Sequence, residues 1–149
     1  MTEMVQDASS DTSIEDLIDS FEFLDDWEER YRYIIEMGRK LPSMDDALKT
    51  EASRVQGCTS QVWLVCNVDE NTPPKLSFIA DSDAHIVRGL VAVLLMIFSN
   101  KTAQEIKSID IDDILARLEF SQHLSPNRAN GLHAMVKRIQ ATAESYCCD

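Results

Sequence analysis

The sequence predicts an α+β domain in which helices pack against a small three-stranded antiparallel sheet. Three observations point there. Apolar residues recur at helical spacing towards both ends of the chain. Between them, residues 54–80 switch to short β-branched and aromatic runs divided by a turn cluster. A strongly apolar helix then follows, suited to covering one sheet.

Residues 1–12 lack periodicity and are expected to be a disordered tail, leaving a single domain over 13–146. Ser13 is placed to cap a first helix, with Ile14, Leu17, Ile18 and Phe21 on one face. Asp26 caps a second, with Glu29 three positions on in capping-box order. Trp27, Tyr31, Ile34 and Gly38 form its apolar stripe, and Pro42 stops it. Residues 42–53 read as a loop. Strands are expected over 54–56, 61–68 and 75–80, with Asp69 to Pro74 as the turn between the last two. Val62, Leu64 and Cys66 alternate with Trp63 and Val65, so both faces of the middle strand are expected to be covered. Asp81-Ser82-Asp83 supplies the cap for the apolar helix to Phe98. Short helices are expected over 102–108 and 111–118. A last helix follows, with Ser125 as cap, Pro126 in the first turn, and Leu132, Val136, Ile139 and Ala143 repeating along one face.

The 149 residues carry a formal net charge of −12, and residues 1–50 hold 14 Asp/Glu against 5 Lys/Arg. That balance argues against a nucleic-acid partner, which needs clustered cations to release phosphate counterions. It suits a soluble protein meeting a more basic protein surface. The acidic, polar N-terminus has neither the basic flank nor the apolar stretch of a targeting peptide. The longest apolar run, Ile86 to Phe98, includes Arg88 and falls short of the ~20 residues that span a bilayer. A cytoplasmic protein without membrane attachment is expected. Its four cysteines, Cys58, Cys66, Cys147 and Cys148, are then reduced thiols rather than disulfides.

The chemistry concentrates in Gln56-Gly57-Cys58-Thr59-Ser60-Gln61-Val62-Trp63. Gly57 can take positive φ and turn the chain sharply, which would present Cys58 on a loop tip. Cys66, inside a strand, reads as a small buried hydrophobe. Pattern alone leaves Cys58 open between a functional thiol and a packed residue.

Here the sequence resembles the SufE family, also called cysteine desulfuration proteins. Four segments in order carry the likeness: W-E-E-R-Y-R-Y-I-I-E-M-G-R-K-L-P, Q-G-C-T-S-Q-V-W, D-S-D-A-H-I-V-R-G-L and S-P-N-R-A-N-G-L. The resemblance runs from about Asp26 to Ala143. It implies a fold like that of the iron–sulfur scaffold proteins and aligns Cys58 with the family's sulfur-accepting cysteine. The implied partner is a PLP-dependent cysteine desulfurase of the SufS or CsdA kind, with PLP on that partner and no cofactor or metal on this chain. The implied recipient is an iron–sulfur assembly complex. On that reading the chain is an acceptor and activator rather than a stand-alone enzyme, and Cys58 is expected to tuck towards an apolar hollow until a partner docks. Oligomeric state stays open, a homodimer included.

Other residues carry two readings each. Gln61 is a plain strand residue or a hydrogen-bonding member of the loop. Asp83 is the helix cap or, by resemblance, a restraint on the cysteine loop. Arg128 is a surface charge or, by resemblance, a contact for the docked desulfurase or the persulfide. Trp63 reads as core. His85 and His123 invite a base or ligand role, but His123 fits a structural one better, and His133 suggests no partner. An iron–sulfur scaffold is the nearest rival function, yet it needs several converging thiolates where only Cys58 and Cys66 lie in the central region. A thiol hydrolase would need Cys58 paired with an oriented histidine, and no signature of one is present.

Overall fold

The computed structural model describes residues 14–24, 26–57, 60–71 and 73–146. The expected tail, the Ser13 cap, Cys147 and Cys148 lie outside the described residues. So does Cys58.

Helix α1, residues 14–23, buries Leu17, Ile18 and Phe21, the face its spacing predicts. Asp26 begins α2 (Trp27–Arg39), its carboxylate accepting from the Glu28 N–H at 3.1 Å. Such a cap contributes roughly 1 kcal/mol. Arg30 ties these two helices together. Its guanidinium donates to the Phe21 and Leu24 carbonyls at 2.6 and 2.8 Å and lies over the Phe21 and Trp27 rings.

The sheet follows, with β1 (Val62–Val68), β2 (Lys75–Ser82) and β3 (Lys101–Thr102) in the order β1-β2-β3, all antiparallel. The third strand is therefore not the expected one. Residues 53–55 do pair with β1, through an Arg54–Trp63 bridge and the bonds Val55 N–H to Val62 O and Leu64 N–H to Ser53 O, both 2.8 Å. That ladder is too short to count as a strand. β3 is hidden in the sequence because Thr102 also caps the next helix, in a reciprocal capping box with Glu105.

Helix α3 (His85–Phe98) and the 21-residue α7 (Pro126–Tyr146) cover one face of the sheet. Val62, Leu64 and Ala80 meet Val91 and Leu94 of α3 and Ile139 of α7. The other face is only partly covered, contrary to expectation: Trp63 and Val65 are half-buried, and the Lys49 ammonium lies 5.1 Å from the Trp63 ring centre. Cys66 is half-buried as well. Alternating apolar residues mark a strand, but a two-layer domain has helices for one face only.

α2 lies against α3 through glycine. A Cβ on Gly38 would stand 2.6 Å from the Gly89 nitrogen, and one on Gly89 would collide with the Ile34 carbonyl. The two backbones touch at this point. Three short helices, α4 (Ala103–Ser108), α5 (Ile111–Arg117) and α6 (Phe120–His123), lead into α7. The last of these three has no counterpart among the expected elements. Ser125 caps α7 by accepting from Arg128 N–H at 3.3 Å. His123 stacks on Trp27 with ring centres 4.2 Å apart, the structural role expected of it.

Candidate functional site

The chain between Val55 and Val62 is a short connection, because those two residues are hydrogen-bonded across its base. It contains Cys58, and both of its limbs are described up to Gly57 and from Ser60.

The entering limb is fixed from three directions. Ser53 is buried and its hydroxyl donates to the Leu48 carbonyl at 2.6 Å, while Thr50 and Ser53 bond each other reciprocally. The ladder to β1 takes the Ser53 carbonyl. Arg138, on α7, donates to the carbonyls of Ala52 at 2.7 Å and Arg54 at 3.1 Å. Gly57 then has φ +93°, on the side of the backbone map where a Cβ is strained. It also lies against α7, since a Cβ there would come within 3.3 Å of the Ala134 methyl. Only glycine serves both demands well.

The leaving limb is held by Asp83. Its carboxylate accepts from Gln61 N–H at 3.1 Å, and its own N–H donates to the Gln61 carbonyl at 3.2 Å. Asp83 is not the helix cap its position suggests. The N-cap of α3 is Ala84, with no side-chain bond, and the Ala84 N–H goes to the Ser82 hydroxyl at 3.2 Å. β2 runs on through Ser82, which places Asp83 level with Gln61 across the hairpin mouth rather than on the helix. Gln61 takes part through its backbone.

Beside the leaving limb opens a cavity of about 380 Å³, lined by Ser60, by Ile86, Val87 and Leu90 of α3, and by Arg128 and Met135 of α7. Its walls are mainly aliphatic, with the exposed Arg128 guanidinium at the rim. Among the described residues Arg128 makes no ion pair. Ser60 and Arg128 thus line one cavity, whereas the Gln61–Asp83 pair adjoins Ser60 and Ala84 without lining it. His85 is exposed and lines a different hollow with Arg88, and His133 lines a third beside Phe120.

Asp81, two residues before Asp83, is 3% exposed and anchors a network that sequence reasoning missed. Its carboxylate meets Arg88 at 3.3 Å and Lys49 at 3.5 Å, and accepts from the N–H groups of Met44 at 3.2 Å and Ser82 at 2.7 Å. Arg88 also donates to the Leu41 carbonyl at 2.7 Å. Segment 41–49 is thereby fastened to the end of β2. Arg138 was missed too: on a helix it reads as an ordinary surface charge, and no local pattern reveals which carbonyls it will find.

Burial pushes the Cys66 thiol up, which disfavours the thiolate that sulfur chemistry requires. No cluster of three or more His, Cys, Asp or Glu side chains that could hold a metal ion occurs among the described residues. Nor is any described helix long and apolar enough to cross a membrane.

Known proteins resemble this chain in both sequence and fold. The family model "SufE: Fe-S metabolism associated domain" matches residues 15–143. An uncharacterized SufE-like protein of Rhizobium meliloti (strain 1021) is 52% identical over 134 residues, covering 89% of this chain and 96% of that protein. Another, from Rhizobium etli, is 48% identical over 133 residues, covering 89% and 90%. A hypothetical protein from Thermus thermophilus, solved in solution, superposes with a TM-score of 0.72 over 93% of this chain and 98% of that one. At 17% identity it shows a shared fold.

Proposed function

Since this chain belongs to the SufE family of Fe–S metabolism domains, we propose that it accepts sulfur on Cys58 from a PLP-dependent cysteine desulfurase, SufS-like or CsdA-like. It stimulates that enzyme and passes the sulfur on to an iron–sulfur assembly complex in the cytoplasm. The reaction is an exchange between sulfur atoms. The Cys58 thiolate attacks the outer sulfur of the desulfurase persulfide, one S–S bond forms as another breaks, and the desulfurase cysteine leaves as thiolate. No external oxidant or reductant is needed.

The observation that carries this reading is the cavity at the connection's mouth, aliphatic within and edged by a guanidinium unpaired among the described residues. An apolar recess excludes the ambient thiols that would strip a persulfide, and a nearby cation favours the anionic sulfur. Gly57 and Asp83 support the same reading: a positive-φ glycine before the cysteine and a carboxylate clamp after it tether both limbs of the connection. Asp83 and Arg128 are then supporting residues, while Gln61 contributes backbone.

The test is direct. Incubate the protein with a cysteine desulfurase and free cysteine, and read the Cys58-containing peptide by mass spectrometry. One added sulfur atom is expected there, with Cys66 unmodified. A Cys58→Ser variant should lose both the sulfur and the stimulation. Full stimulation by that variant would reject the acceptor role.

A further inference from the structure

The geometry points to Arg138 as a positioning residue for the thiol at position 58, an inference that rests on the acceptor reading. Residues 51–53 turn, closed by the Arg54 N–H on the Thr50 carbonyl at 3.1 Å, and lead into the single Arg54–Trp63 bridge beside β1. The Ser53 carbonyl faces β1 and accepts from Leu64. The carbonyls of Ala52 and Arg54 make no bond to β1 and are left to another partner. The Arg138 fork is that partner, with one nitrogen on each carbonyl.

Arg138 lies one helical turn beyond Ala134, the residue against which Gly57 packs. α7 therefore touches the entering limb at two places, near its start and at its glycine. The same helix supplies Arg128, Gly131, Leu132 and Met135 to the cavity. A single rigid element sets both the cavity wall and the limb that delivers the cysteine, and Arg138 fixes the register between them. Asp83 performs the corresponding task on the leaving limb from α3's side. The ladder bonds of Ser53 and Val55 do not involve Arg138, so its replacement leaves them their partners.

The test compares cysteines within one molecule. Arg138→Met keeps the aliphatic stem and removes both donors. Under native conditions, iodoacetamide labelling of Cys58 is expected to quicken by up to about 30-fold, the scale set by losing two net hydrogen bonds. Labelling of Cys66, read in the same digest, should be unchanged. Arg138→Lys keeps a cation but loses the fork, and should fall between the two. An unchanged Cys58 rate would overturn the proposal, as would Cys58 and Cys66 quickening together, which signals general loosening. Should the Met variant fail to fold, the Lys variant alone decides, since a wild-type Cys58 rate in it means that the fork does not position the limb. Alkylation needs no desulfurase. If wild-type Cys58 never gains sulfur, the acceptor reading fails independently of this result.

Discussion

The β1–β2 hairpin ends in carboxylates at both extremities, and they do different work. At the turn, Asp69 is exposed and binds only its neighbours. It accepts from the N–H groups of Lys75 at 2.8 Å and Asn71 at 3.0 Å, and from the Asn71 amide at 2.8 Å. At the open mouth, Asp81 and Asp83 reach groups distant in sequence: Met44, Lys49 and Arg88 for the first, Gln61 for the second. The turn end closes on itself. The mouth is built only when segment 41–49, the cysteine connection and α3 have assembled. The sequence separation of the partners, with burial added at Asp81, rather than residue type, decides which carboxylate matters to the whole molecule.

The sharpest challenge to this contrast is Asp81→Ala. It strands the Arg88 and Lys49 charges and should lower unfolding free energy by about 3 kcal/mol in urea, as removing one partner of a buried pair does. A loss no larger than that of a surface substitution would erase the distinction. Asp83→Ala comes next, at about 1 kcal/mol for one charge-assisted hydrogen bond at an exposed carboxylate. Its more informative readout is faster alkylation of Cys58 with Cys66 unaltered. Least of all is Asp69→Asn. The Lys75 and Asn71 N–H groups hold the Asp69 carboxyl below the usual carboxylate range. A pKa lowered on folding adds stability above the unfolded value, lost as pH falls through the folded one. The variant should therefore melt slightly below wild type at pH 7 and coincide with it in strong acid. A gap persisting in acid would mean that the side chain's shape, not its charge, closes the turn.

Local signals are legible in the sequence. The Leu17–Phe21 face, the Asp26 and Ser125 caps and the Asp69 turn all depend on residues within a few positions of one another. β3 is obscured because two residues form it and one of them doubles as a helix cap. Asp83 reads as a cap because D-S-D before an apolar run normally is one. Its true partner lies across the hairpin mouth, a distance that no window of sequence spans. Trp63 is expected in the core and is half-buried under Lys49, since a period-two pattern does not reveal how many layers a domain has. Of the site, the glycine's unusual backbone is foreseeable. The Arg138 fork is not, because helix-surface arginines look alike until tertiary contacts select one.

Gly38 and Gly89 carry a mechanical consequence. Where two helices meet through side chains, a bulkier residue can be absorbed by rotamer changes; here peptide groups stand nearest, and the Ile34 side-chain methyl is the one softer neighbour. An added methyl can be relieved only by sliding α3 bodily. Such a slide would drag Arg88 off Asp81 and shift Asp83 relative to Gln61. A defect in the helix pair would thus be felt as slack in the limbs that flank Cys58, well away from the lesion itself.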